Sequence, residues 1–366
     1  MIQEAYNSAI TILQKCSTKN GFFAAFPGYD MVFARDSMII SLGASLLPEF
    51  KGTIKKSLIT LANNQSNTGQ IPNAVDKFSN RKHHVDYLSI DSTLWFLIGH
   101  YNYKKHFDSQ LFSVQKNNIE SALTWLKYQD IAENGMLVQQ PTTDWQDAFP
   151  HKYGHTINTQ ALWFNILQQM NKKSDAEKLL YNVNINNDTR LWNDNFYLSY
   201  RWKNHGKYQE KGEWFDSLGN LLAIIFGLSN EHQTKKIINY IIKNKIDQPY
   251  PIKAIYPPIT KSSKHWQDYY LDCEAGKPHH YLNGGIWTFI GGFYVLALIK
   301  DKHFKEAEKQ LQKLAEANLK YNFTEWLHGI TGKDGDTEAK IKSVQGWNAG
   351  MYILAYESLK HKKVLL

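Results

Sequence analysis

Residues Pro141 to Phe164 read PTTDWQDAFPHKYGHTINTQALWF. The stretch opens as a polar loop bearing aromatic residues and runs into an apolar, helix-like segment. Asp144 and Asp147 flank Trp145 and Gln146, and His155 stands where a helix should begin. Carboxylates move protons, aromatic faces stack on sugar rings, and amide or imidazole groups read hydroxyls. All three kinds of group occur here within two dozen residues. Read alone, the stretch is equally a surface loop with two solvated aspartates, so its meaning depends on the pattern around it.

Working outward, the pattern is helical. Apolar residues at 2, 5, 9, 12, 13 and 16 share one helical face, so Ile2–Cys16 reads as an amphipathic helix. Arg35-Asp36-Ser37 opens a far more apolar helix to about Leu47. Residues 50 to 61 return to an amphipathic pattern, and an apolar helix with Asp91 and Trp95 follows from about Leu88. Leu111–Tyr128 is amphipathic, His155–Met170 apolar, Ser174–Tyr181 amphipathic. A strand pair is expected within residues 184–208. Gly212–Leu228 is apolar, Glu231–Lys243 amphipathic, Leu282–Lys300 almost wholly apolar, His303–Leu319 amphipathic, and Ser343–Leu359 apolar in its middle. A half-polar helix faces water on one side and an apolar one is enclosed. The alternation predicts six inner helices ringed by six outer ones, an all-α (α/α)6 barrel with long loops and a few short strands at its rim. No linker composition divides residues 1–366, so one domain is expected.

Polar clusters precede or open each inner segment: Arg35-Asp36; Asp91 with Trp95; Asp144 to Asp147 with His155; Glu213 to Asp216; Asn283-Gly284-Gly285 with Trp287; and Lys342 with Gln345 and Trp347. In a double ring the inner N-termini share one end, where free N–H groups and positive dipole ends suit hydroxyls and carboxylates. Taken singly, Asp36, Asp91 and Asp216 read as helix caps. Taken together, the six clusters read as one convergent site.

The bulk properties narrow the class. The 366 residues hold 11 Trp, 21 Tyr and 18 Phe, an excess that suits carbohydrate handling as well as a large core. The net charge of +8 is dispersed, and no zinc-finger spacing, RNA-binding signature or basic helix argues for nucleic acid. Cys16 and Cys273 form neither a disulfide framework nor a metal knuckle. The first residues lack the pattern of a signal peptide, and no segment has the length and apolarity of a membrane span. A cytoplasmic protein with no metal, no cofactor, no membrane or nucleic-acid partner, and a small carbohydrate substrate is expected.

Several motifs extend the reading by resemblance. RDSMI (from Arg35), GQIPN (Gly69–Asn73), YLSIDSTLWF (Tyr87–Phe96) and DWQDAF (from Asp144) resemble the amylo-α-1,6-glucosidase domain of glycogen debranching enzymes. YPPI (Tyr256–Ile259), His265-Trp266, HYLNGGIW (His280–Trp287), TEWLHGITGK (Thr324–Lys333) and QGWNAG (Gln345–Gly350) resemble alkaline/neutral invertases, in the same order. GHTINTQALWF (Gly154–Phe164) resembles both. The resemblance implies an (α/α)6-barrel glycosidase with an acid and a base carboxylate. Position by position, it implies Asp147 as the acid of a WxD motif and Glu325 as the second catalytic carboxylate. It implies Arg35, Asp36, Asp91, Gln160, Asn283 and Trp287 as pocket positions. Asp144, Trp145, His155, Asp216, Trp95, Gln345 and Trp347 join them as expected sugar contacts from the cluster pattern. Thr288 stands where the family has proline, and Trp326 where tyrosine is usual. Asp144 rivals Asp147, and Glu213 rivals Glu325. Other readings are a sugar 2-epimerase working through His155, His279 and His280, an oligosaccharide-binding protein without catalysis, and a phosphorolytic variant.

Overall fold

A computed structural model of the chain describes residues 1–76, 85–205, 208–273, 276–335 and 342–366. Its helices are α1 (Ile2–Cys16), α2 (Ala34–Ala44), α3 (Lys51–Asn63), α4 (Ile90–His106), α5 (Gln110–Val114), α6 (Lys116–Lys127), α7 (Ile157–Gln169), α8 (Lys173–Asn184), α9 (Ser217–Phe226), α10 (Glu231–Lys243), α11 (Thr288–Lys300), α12 (Phe304–Lys320) and α13 (Gly346–Lys360).

Two classes of helix are plain from burial. Every residue of α2 and of α9 is buried, and in α11 Lys300 alone escapes. In α1, α6, α8, α10 and α12 burial is confined to one face, as in α12 at Ala307, Gln310, Leu311, Leu314 and Ala315. The enclosed helices pack in sequence: α2 on α4, α4 on α7, α7 on α9, α9 on α11, α11 on α13, and α13 back on α2. Outer helices lie over them, α3 on α2 and α4, α8 on α7, α12 on α11 and α13, and α1 on α13 and α12. The α2–α13 contact is especially close. A Cβ on Gly43 would stand 1.9 Å from the carbonyl oxygen of Gly350, so glycine lets the two backbones touch.

Several boundaries differ from expectation. α2 ends at Ala44 because Pro48 opens a short 3-10 turn. Leu111–Tyr128 splits into α5 and α6 at Gln115. The helix expected from Gly212 starts at Ser217, because the preceding residues extend a strand. Leu198–His205 and Tyr208–Asp216 form a long hairpin. It is the middle of a four-stranded antiparallel sheet flanked by His155–Thr156 and Ile255–Tyr256. Helix is likewise absent from Leu282 to Trp287. There Gly284 adopts φ +89°, and Ile286 bridges Lys253 and Leu327 in extended pairing. The structure is helix-rich but not purely helical.

Among the described residues no helix is long and apolar enough to cross a membrane. Cys16 is a buried free thiol and Cys273 a partly buried one.

Candidate active site

Contacts among their N-terminal ends draw the six inner helices together. Arg35, in the first turn of α2, is the hub. Its Nη1 donates to both oxygens of Asp91, in the first turn of α4, at 3.3 Å. Its Nη2 lies 3.6 Å from Asp147 Oδ2 on the loop before α7, and its Nε 3.8 Å from Asp36 Oδ2. Lys152, wholly buried, bridges Asp144 Oδ2 at 2.9 Å and Asp216 Oδ2 at 2.6 Å, which ties that loop to the start of α9. Trp145, Trp287 and Trp347 continue the circuit to α11 and α13, with ring centroids 5.6 and 5.9 Å apart in edge-on geometry. Phe289 stacks on Trp347 at 4.1 Å.

Asp147 sits at the edge of this network. Half its side-chain surface is exposed, yet desolvation in the cleft pushes it above the usual carboxylate range, with Arg35 pulling the other way. A raised pKa keeps the carboxyl protonated to higher pH, the state a proton donor needs. Burial also pushes Asp36 up to about 6, despite Arg35 beside it, and leaves its Oδ2 without a hydrogen-bond partner. Asp91 is pushed up to about 7 by the same cause.

Glu325 stands on the loop after α12. The Tyr281 hydroxyl donates to its Oε1 at 3.2 Å, and the Tyr29 hydroxyl reaches both oxygens at 3.4 and 3.5 Å. Both tyrosines also lie within electrostatic range of Asp147, and their hydroxyls are raised by burial and by these carboxylates. Both expected catalytic carboxylates therefore act on the same two tyrosines. Tyr29 and Tyr281 escaped the sequence reading. They lie in aromatic loops, and only their convergence from opposite ends of the chain marks them.

Other expected sugar contacts have different work. Asp144 is corrected from sugar contact and rival acid: it is fully buried, its Oδ2 held by Lys152 and Gln139 and its Oδ1 by the Gln146 N–H. Asp216 is corrected likewise. It caps α9 by accepting from the Gly219 N–H, and its other oxygen meets Lys152. Asp36 and Asp91 are not at the N-cap positions, which Phe33 and Ser89 occupy; they lie in the first turns of α2 and α4. Trp95 is core, with no exposed surface and Phe293 beside it. Gln160 clamps both the N–H and the carbonyl of Leu137. Asn283 bonds both backbone groups of Ile259 and the carbonyl of Gly276. Both are buried frame residues rather than contacts. His155 sits under Trp202, and burial pushes it down to about 4. Gln345 is buried where its short strand pairs with Ala25. Trp145, Trp287 and Trp347 are nearly covered and form the aromatic wall described above.

The rivals fall elsewhere. Glu213 is ion-paired with Lys264 beside a separate cavity. His279 and His280 gather with His328, at centroid distances of 6.4 and 4.6 Å, apart from the contacts that His155 makes.

Residues 204–362 match the family model described as alkaline and neutral invertase. Two relatives from Arabidopsis thaliana are similar. Probable alkaline/neutral invertase A, chloroplastic, is 28% identical over 154 residues, 41% of this chain and 23% of that protein. Alkaline/neutral invertase C, mitochondrial, is 29% identical over 145 residues, 38% of this chain and 21% of that protein. The match thus spans less than a quarter of either relative's length. Among solved structures, the GH63 mannosylglycerate hydrolase of Thermus thermophilus in complex with glucose has a TM-score of 0.68 at 12% identity, covering 97% of this chain and 100% of that one. A bacterial glucoamylase complexed with acarbose has a TM-score of 0.62 at 15% identity, covering 99% of this chain and 56% of that one. The chain has the fold of these six-hairpin glycoside hydrolases and, over residues 204–362, is similar in sequence to the alkaline and neutral invertase family.

Proposed function

We propose that the chain is an inverting glycoside hydrolase that cleaves a glucosidic bond of a di- or oligosaccharide on a single-domain (α/α)6 barrel. The observation that carries this reading is that Tyr29 and Tyr281, whose hydroxyls donate to Glu325, also lie within electrostatic range of Asp147. Asp147 protonates the leaving oxygen, and its raised pKa supports that role. Glu325 takes a proton from the attacking water while the two tyrosine hydroxyls orient its carboxylate. Inversion requires room for that water, so the carboxyl groups stand roughly 6.5–9.5 Å apart with substrate bound. Arg35 and Asp36, beside Asp147 in the carboxylate network, hold sugar hydroxyls. The free cysteines fit a reducing, cytoplasmic setting.

The test is NMR of the protein with sucrose, isomaltose, trehalose and maltose. The first product is expected to carry the anomeric configuration opposite to that of the bond broken. Retention of configuration would discard inversion. Asp147→Asn and Glu325→Gln should each lower kcat by a factor of about 10²–10⁴ with unchanged circular dichroism. Full turnover in either variant would remove that residue from the mechanism.

A further inference from the structure

A second cavity, of about 760 Å³, opens against the long hairpin. Among the described residues its lining includes none of Arg35, Asp147 or Glu325. Two aromatic clusters line it. In one, Tyr153, Tyr200, Trp214 and His265 follow each other with ring centroids 5.1, 5.7 and 5.0 Å apart. In the other, Tyr269 lies 4.9 Å from His151 and 4.8 Å from Tyr270.

The charges on the lining cancel. Glu210 and Glu213 are matched by Lys211 and Lys264, with Glu213 and Lys264 in direct contact. Burial lowers the pKa of His151 and His265 and so favours their neutral forms. Such a lining offers nothing to select an anion. It offers ring faces, which pack on the C–H faces of sugars, and amide, phenol and carboxylate groups, which pair with hydroxyls. Trp214 is 4% exposed, yet its indole N–H has no hydrogen-bond partner. The volume is that of an ordinary small-ligand site.

We propose that this cavity binds a segment of a neutral oligosaccharide, apart from the bond that is cut. This rests on the glycoside hydrolase reading above. The cavity also abuts the catalytic loop. Tyr270 packs edge-on against Phe149 at 4.7 Å, two residues beyond Asp147, and its hydroxyl accepts from the His151 N–H at 3.3 Å. A ligand in the cavity therefore braces the segment that carries the acid, and chains long enough to fill both places gain over disaccharides.

Tyr269 is 51% exposed, so Tyr269→Ala removes a ring face without opening the core. Maltoheptaose, cellohexaose and nystose are titrated into the full chain by calorimetry and tryptophan fluorescence, and disaccharide hydrolysis is measured alongside. At least one of the three should bind, with Tyr269→Ala weakening it by a factor of about 2–10 and leaving disaccharide turnover unchanged. Equal affinity in the two proteins, or no binding of any probe, overturns the cavity's role. Tyr269-sensitive binding in a protein that hydrolyses no glycoside keeps the cavity and rejects the proposed function. Disaccharide hydrolysis without Tyr269-sensitive binding does the reverse.

Discussion

Arg35 compensates three carboxylates at once, and the balance at each differs. Asp91 receives a two-oxygen contact, Asp147 one at 3.6 Å, and Asp36 one at 3.8 Å. Burial outweighs Arg35 at all three, and at Asp36 it raises the carboxyl to about 6. In the unfolded chain an aspartate ionises near ~3.9. From about pH 4 to about pH 6 the native state holds a proton that the unfolded state has lost. Stability therefore falls as pH rises through that window and is level above it. The drop is about 3 kcal/mol at most. Asp36→Asn removes it: the variant's Tm relative to wild type should climb between pH 4 and 6.5 in calorimetric scans. A difference that is flat with pH would show that Asp36 is ionised throughout.

Among the helices, α2 and α13 pack with least tolerance. Both are buried along nearly their whole length, and Gly43 and Gly350 leave no room for a methyl group between them. Gly43→Ala forces the helices apart, with an expected loss of about 1–3 kcal/mol or more in urea unfolding. Gly52, on the outer helix α3, faces open space, and Gly52→Ala should instead be neutral or slightly stabilising. Equal effects at the two positions would contradict the close approach. The hairpin shows how periodicity misleads at this scale. Gly212 to Phe215 precede an apolar run and read as its first turn. In the structure Glu213 points outward and Trp214 inward, the alternation of a strand, because both neighbouring strands supply hydrogen-bond partners.

Across the whole molecule, Lys152 is the tie that no local pattern announces. It has no solvent contact and neutralises Asp144 and Asp216, which come from different inner helices' approaches. Lys152→Met leaves two buried carboxylates facing each other, at an expected cost of about 3–5 kcal/mol. The loop that carries Asp147 should loosen with it, read as faster amide exchange at residues 144–150. Protection equal to wild type would place the loop's rigidity elsewhere.

The alternation of enclosed and amphipathic helices was legible in the chain, because burial on one side or on all sides writes itself into hydrophobic period. So was the placing of polar clusters ahead of apolar runs, and with it Arg35, Asp36, Asp91 and Asp147 as candidates; Glu325 was a candidate through the family resemblance alone. Local pattern alone could not separate Asp144 from Asp147, two residues of one type three positions apart; the resemblance to the WxD motif favoured Asp147. Which of them is buried against Lys152 and which keeps half its surface exposed is set by tertiary contacts alone. The same holds for Tyr29 and Tyr281, separated by most of the chain, whose hydroxyls converge on Glu325 only after the ring of helices has brought their loops together.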